Sequence, residues 1–323
     1  MSNLTFSIEP ARQYCLLCSQ NASLFHSPEW LKVLNRGFKA QSFYGWDDQN
    51  EIGLAVSIFR KSLFRIGFVG FPVGGTISSA NWNDTLISKM RSASYPISPH
   101  VFRLSVSPFS GEISLPKDTE RVWETAIVDL QNWHLEDLTN SIRRNIYKAK
   151  GHNLKISEAK TPAEANIIYK IYTSTVQRHG GMTRYTRSYF QALVELAQAN
   201  PRIRCFIASD QSEVAAFLVA GLNQKAAYYL HGGLNMSLQS KRPSDLLFGH
   251  AIQWAKDNGM TLFNFMASPT NQLGLVRYKE KWGGETRHQH TFNIPISPIG
   301  GRLFVLSMKL FRLWKKVLER GGD

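Results

Sequence analysis

TLFNFMAS (261–268) and, a short step later, GLVRYKEKWGG (274–284) form the stretch on which the fold turns. The first is an uncharged, apolar run of strand length, as expected for a strand buried on both faces. The second is long enough for two turns of helix and stops at paired glycines. Outward from there, RHQHTFNIP (287–295) reads as a closing strand and PSDLLFGHAIQWAKDNG (243–259) as a helix with Gly259 just past its end. Before that helix stand RCFIAS, VAAFLVAGLN and AAYYLHGG, three apolar runs broken by DQSE and NQK, which predict an antiparallel meander. RSYFQALVELAQANP places Tyr189, Phe190, Leu193 and Leu196 at helical spacing and ends at Asn200 and Pro201. TPAEANIIYKIYTSTVQRHG opens with Thr161 as N-cap, Pro162 at the first helical position and Glu164 three after the cap. LKISEA begins the series as a short strand. The predicted order is strand, two helices, three strands, helix, strand, helix, strand.

The first 130 residues can be read with the same template in fainter form. SLFHSPEWLKVLNRGF predicts a helix capped by Ser27 with Pro28 in its first turn. AQSFYGW, EIGLAVSIFRK and RIGFVGF are strand-length runs between polar turns, NWNDTLISKMRSA supplies a helix, and HVFRLSVSP a strand after it.

Length and composition agree with two packed domains. The chain has 323 residues, 43% hydrophobic and 19% charged, which excludes a disordered or collagen-like chain. A formal charge of +14 favours polyanionic partners, whether RNA, anionic lipid or a phosphorylated small molecule. Three cysteines (Cys15, Cys18, Cys205) do not make a disulfide framework, and the Cys15/Cys18 pair has no second pair of ligands at metal spacing, so no metal is expected. No signal peptide and no membrane-spanning run of about 18 apolar residues are visible, which points to a cytoplasmic location.

The stretches SIRRNIYKAKGHNLKI (141–156), YYLHGGLN (228–235), RPSDLLFGHAIQWAKDNG (242–259) and, above all, FNFMAS to GLVRYKEKWGGE (263–285) resemble the Fem-type and BioF2-like branch of tandem GNAT acyltransferases. The resemblance covers about Ser141 to Pro295, nearly half of the chain. It implies an α/β (α+β) fold of two tandem GNAT-like domains, with mixed central sheets flanked by helices. The expected division is 1–132, 133–297, and a basic amphipathic C-terminal helix over 298–323.

The resemblance also implies site residues. GNAT enzymes bind the pyrophosphate of their cofactor at the start of the helix after the fourth strand, where free N–H groups and the helix dipole favour anions. Here that segment is QSKRPSDLL. It lacks the family's glycines, carrying Ser244 and Asp245 in that region, with Lys241 and Arg242 as cations able to hold phosphate. Asp245 would repel a pyrophosphate it faced. A tyrosine that protonates the departing thiolate is replaced by Lys279, with Tyr278 its neighbour. Fem-type enzymes carry an aromatic followed by lysine there, with the lysine implicated in holding a phosphate of the aminoacyl-tRNA end. Physically, Lys279 can hold a phosphate, stabilise an oxyanion, or act as an acid if burial lowers its pKa, and Tyr278 can take the proton role instead. The competing reading makes Tyr278 and Trp282 core residues and leaves Lys279 solvated.

His231, alternating to the same strand face as Tyr229, is the candidate base for the acceptor amine. His179, Arg178 and Tyr185 in the QRHGGMTRYTR loop, and Arg143 and Arg144, are candidates for gripping an anionic acceptor. Ordinary structural or solvated roles compete for each.

GGRLFVLSMKLFRLWKKVLERGG winds as a helix with Leu303, Phe304, Leu306, Leu310, Phe311, Leu313, Trp314, Val317 and Leu318 on one side and Arg302, Lys309, Arg312, Lys316 and Arg320 on the other. Such a helix, over 302–320, suits an anionic membrane surface, with docking on the protein itself or on a second subunit as the alternative. The sequence therefore predicts an N-acyltransferase, peripheral on the inner face of the cytoplasmic membrane, acting on an amine of a cell-envelope sugar, peptide or lipid precursor. Its donor is acyl-CoA or, alternatively, aminoacyl-tRNA. A degenerate membrane-attached binding module is the reading from another class, and the oligomeric state is left open.

Overall fold

The structure, a computed structural model, describes residues 4–47, 51–61, 63–77, 84–110, 119–211 and 213–308. Its elements run twice through nearly one order, α8 having no counterpart among the described residues of the first series. The first series is β1 (Leu4–Ser7), α1 (Arg12–Gln20), α2 (Pro28–Phe38), β2 (Gln41–Asp47), β3 (Gly53–Lys61), β4 (Phe64–Val69), α3 (Asp84–Ser92), β5 (Val101–Val106) and β6 (Glu120–Ile127). A linking helix, α4 (Asn140–Gly151), leads to β7 (Lys155–Glu158), α5 (Pro162–Arg178), α6 (Arg187–Ala199), β8 (Ile203–Asp210), β9 (Glu213–Asn223), β10 (Ala226–Leu234), α7 (Pro243–Asp257), β11 (Leu262–Ser268), α8 (Leu273–Glu280) and β12 (Glu285–Pro295).

The local signals act as their chemistry requires. Thr161 and Glu164 complete a reciprocal capping box at α5, and Ser27 accepts the Trp30 N–H at the start of α2. β9 is buried along nearly its whole length because helices cover both faces of the sheet, so its sequence is continuously apolar rather than alternating.

All twelve strands join one mixed sheet, ordered β1-β2-β3-β4-β5-β12-β6-β11-β10-β9-β8-β7. The two repeats have exchanged their last strands. β6 pairs antiparallel with β11 of the second repeat, and β12 pairs antiparallel with β5 of the first; β6 and β12 also pair with each other at the centre. The sheet therefore runs on without a break from one repeat to the other. One core, under α2, α5 and α6, spans both repeats; a second lies beneath α4 and α7. Helices α2 and α6 touch at Gly37, where an added Cβ would come within 2.6 Å of the Tyr189 Cβ.

In each repeat two neighbouring strands run parallel for three residue pairs and then part: Ile66–Val101 to Phe68–Arg103 in β4/β5, and Ala226–Leu262 to Tyr228–Asn264 in β10/β11. These partings position the site.

A helix begins at 300 and is described to 308. Phe304 is buried against Phe64, at 5.3 Å between ring centroids, beside Ile66 and Val101. That phenylalanine is therefore taken up by the protein's own sheet, while Leu303 and Leu306 are exposed. The expectation for 302–320 falls largely outside the described residues. Among the described residues, no helix is long and apolar enough to cross a membrane.

Candidate active site

Where β10 and β11 part, both strands are bulged. In β11, Phe265 and Met266 together oppose Thr125 of β6, with Met266 in the left-handed region at φ 60°. A side chain there costs about 1–3 kcal/mol and needs support. Asn264 supplies it: its Oδ1 accepts the Met266 N–H at 2.7 Å while its Nδ2 donates to Glu124 Oε1 at 2.6 Å.

Lys279 of α8 reaches this bulge. Its Nζ donates to the Met266 carbonyl and to Ser268 Oγ, each at 2.8 Å, and the residue is only 2% exposed. Burial lowers its pKa from 10.5 to about 7, with the Glu124 charge acting in the opposite direction. The sequence expectation of a solvated lysine, or of one presented to a phosphate at a rim, does not match this geometry. Lys279 is instead a buried lysine held near neutrality by desolvation.

Glu124, on β6, is 1% exposed and accepts from three neutral donors: Ser107 Oγ, Asn264 Nδ2 and Gln289 Nε2. Burial raises its pKa against the pull of those donors and of Lys279. Sequence reasoning missed this residue. Its signal is a lone acid inside the strand-length run RVWETAI (121–127), at a position whose neighbours along the strand are buried.

A cavity of about 660 Å³ opens beside this group. Segments 73–77 and 105–110, which follow the ends of β4 and β5, form one wall; the starts of β10 and β11, at 223–228 and 261–264, form the other. Ser107 and Asn264, both bonded to Glu124, belong to the lining. The lining is rich in hydroxyl and amide groups, and Lys225 is its one charged side chain among the described residues. Gly74 and Gly75 have φ of 78° and 91°, and a Cβ on Gly74 would lie 2.1 Å from the Ser105 carbonyl oxygen, so the first wall requires glycine there.

Two of the four residues proposed for the cofactor, Lys241 and Asp245, find partners within the protein. Lys241 is ion-paired with Asp210. Asp245 is buried and accepts the Tyr278 hydroxyl at 2.7 Å, so it does not confront an anion at the helix start. Burial raises the pKa of Asp245 and pushes that of Tyr278 well above 10.0. Tyr278 is thereby a latch between α8 and α7 rather than a free acid. It packs with Tyr229 and Trp282 around Phe248, at 4.9 to 5.8 Å between ring centroids. Arg242 caps α7 in the left-handed conformation without a side-chain bond to the first turn, and Ser244 follows Pro243 there. Arg143 and Arg144, with Asn140 and exposed Tyr147, line a separate groove on α4 of about 470 Å³.

His231 stands elsewhere. The register of β10 slips between Tyr229 and His231, so Leu230 is an extra residue and the two side chains point to opposite faces, not to the same one. His231 Nε2 meets the Tyr189 hydroxyl at 2.9 Å among the aromatic rings of α5, α6 and the segment between them, where Tyr185 lies at 4.3 Å between ring centroids. Burial lowers its pKa to about 3. An imidazole so enclosed is a core residue, and the base role is withdrawn. Arg178, the last residue of α5, and His179 just after it are exposed, whereas Tyr185 belongs to the His231 cluster. None of these three joins the Lys279 group among the described contacts.

Residues 137–280 match the family model described as "Acetyltransferase (GNAT) domain". That match covers nearly half of the chain. Solved structures agree with the fold of the whole chain. FemX superimposes with a TM-score of 0.65 at 11% identity, covering 94% of this chain and 99% of its own. L-PGS from Bacillus licheniformis gives 0.58 at 12% identity, covering 94% and 97%. A tandem GNAT protein from the clavulanic acid biosynthesis pathway gives 0.51 at 9% identity, covering 92% and 99%. No curated protein matches the chain in sequence.

Proposed function

We propose that this acyltransferase moves an acyl or aminoacyl group onto an amine of a cell-envelope sugar, peptide or lipid precursor, with the chemistry centred on Lys279. One observation carries the reading: a lysine with a pKa of about 7 is buried where β10 and β11 part, in the electrostatic field of a carboxylate whose partners line a cavity. Protonated Lys279 supplies the proton that the leaving thiolate or hydroxyl requires, a role worth about 10²- to 10⁴-fold in rate. The uncapped start of α7, beside Arg242, supports a phosphate-bearing donor, and acyl-CoA is the first choice.

Aminoacyl-tRNA is the second reading, favoured by the α4 groove, where Arg143 and Arg144 flank an exposed aromatic able to stack on a base. The basic chain and its tail segment support action at an anionic membrane surface on the cytoplasmic side.

Purified protein is offered acetyl-CoA or a mixed aminoacyl-tRNA pool together with D-glucosamine, a lysyl peptide or phosphatidylethanolamine vesicles, and amide formation is followed by mass spectrometry. Turnover with one donor assigns it. Donor binding distinguishes the two independently, because an RNA making 6–10 phosphate contacts loses about 10³- to 10⁵-fold in affinity between about 50 and 200 mM salt, whereas CoA loses far less. Failure with both donors replaces this reading with a non-catalytic binding module.

A further inference from the structure

Resting on the acyl-transfer reading, we infer that Ser107 and Glu124, both contributed by the first repeat, form a proton relay that deprotonates the acceptor amine in the inter-repeat cavity. Ser107 lies just beyond β5 and lines the cavity, and its hydroxyl donates to Glu124 Oε1 behind it. A serine hydroxyl has one proton to give and two lone pairs. The proton is committed to Glu124, and one lone pair takes the Phe109 N–H at 3.3 Å. The second lone pair is left for a donor in the cavity, and an ammonium group is such a donor.

The surroundings of Glu124 suit a group that must change its charge. Asn264 and Gln289 hold the carboxylate from β11 and β12, both through amide N–H groups at 2.6 Å. Among the described residues it forms no ion pair. The charged and titratable groups around it are Lys279 from α8 and Tyr228 from β10, each coupled to it electrostatically, and Arg287, its register partner on β12. Arg287 is itself bonded to Glu285 and stacked over Phe109, which leaves Glu124 with neutral contacts only. Three neutral amide or hydroxyl donors fasten the four central strands, yet a carboxylate adds what a purely structural amide would not: a site for a proton.

The balance is explicit. An ammonium N–H gives its proton to Ser107 Oγ as the serine proton passes to Glu124, so R–NH₃⁺ and –COO⁻ become R–NH₂ and –COOH. Two charges disappear from a poorly solvated site, which favours the transfer in a low dielectric. The neutral amine then adds to the donor carbonyl. On collapse, the C–S or C–O bond of the donor breaks and the leaving group takes a proton from Lys279; the second proton lost by the nitrogen restores Lys279. Glu124 releases its proton to solvent when the product departs. The raised pKa of Glu124 agrees with a base able to hold that proton through the addition step.

The test uses the full chain and whichever donor and acceptor turn over in the assay above. Ser107→Ala is the lead variant because Ser107 sits beyond the end of its strand, whereas Glu124→Gln removes an acceptor from the centre of the sheet and is read only if its melting temperature is retained. Ser107→Ala is expected to lower kcat at neutral pH by about 10²-fold. The loss should shrink as pH rises and the acceptor deprotonates in solution, with KM much less affected. Ser107→Thr, which returns a hydroxyl, should recover most of the loss. A Ser107→Ala rate equal to wild type at neutral pH, or one depressed equally at every pH, overturns the relay while leaving acyl transfer intact. A wild-type chain inactive with both donors overturns acyl transfer and the relay with it.

Discussion

The two partings of the sheet have the same backbone and opposite contents. In the first repeat, the ends of β4 and β5 open onto the cavity, whose wall is kept thin by Gly74 and Gly75. In the second, the ends of β10 and β11 are filled by buried polar side chains: Lys279 against the Met266 bulge, with the Tyr278–Asp245 latch beside it. One repeat supplies room and the other supplies the buried lysine on which the proposed chemistry rests. The exchanged strand β6 joins them, because it carries Glu124 from the first repeat to a place beside Asn264 of the second. Repetition of a fold therefore need not repeat a site.

The largest effect that tests this contrast is expected from Lys279→Ala, which should lower kcat by about 10²- to 10⁴-fold with the fold retained by circular dichroism. Unchanged turnover would place the chemistry elsewhere and erase the distinction between the two partings.

The pH profile sharpens it. Lys279 must be protonated to act as an acid, so kcat should fall as pH rises through about 7, approaching tenfold per unit. Glu124 must be ionised to act as a base, so the acidic limb should lie above the ordinary carboxylate value of 4.5. In stability the sign runs the other way for Lys279. Its folded pKa lies below its unfolded value, so the unfolded chain binds more protons between about 7 and 10.5, and its contribution to stability rises with pH across that window. A flat profile would speak against both groups.

Contact between the repeats is tested next by Gly37→Ala. The added Cβ meets the Cβ and Cα of Tyr189 at 2.6 and 2.9 Å, and the overpacking should cost about 1–3 kcal/mol in chemical denaturation. The smallest effects are expected at the paired caps, Ser27 on α2 and Thr186 on α6, which accept the N–H groups of Trp30 and Tyr189. Replacing either by alanine should remove about 1 kcal/mol of stability without changing kcat. A much larger loss at Thr186 would reveal how far its second bond, to the Gly37 carbonyl, fastens one repeat to the other.

Much of this was legible in the residues. Thr161, Pro162 and Glu164 announced α5, Ser27 and Pro28 announced α2, and the apolar runs from Arg204 to Gly233 became β8, β9 and β10. Lys279 stood out by its place ahead of the paired glycines. Strand alternation misplaced His231, because nothing in AAYYLHGG marks the one-residue slip at Leu230 that reverses the faces. Asp245 read as a danger to a phosphate, but its buried bond to Tyr278 is made across two helices that sequence spacing does not relate.

The sequence by itself determined the elements, their order and their repetition, since caps, breakers and hydrophobic period act over a few residues. Only the tertiary structure decided that the last strands are exchanged, that Glu124 and Ser107 meet Asn264 beside one cavity, and that Lys279 is buried. Those facts depend on tertiary contacts, such as those of Glu124 with Asn264 and Gln289 more than a hundred positions away, and on the desolvation that burial imposes on charge.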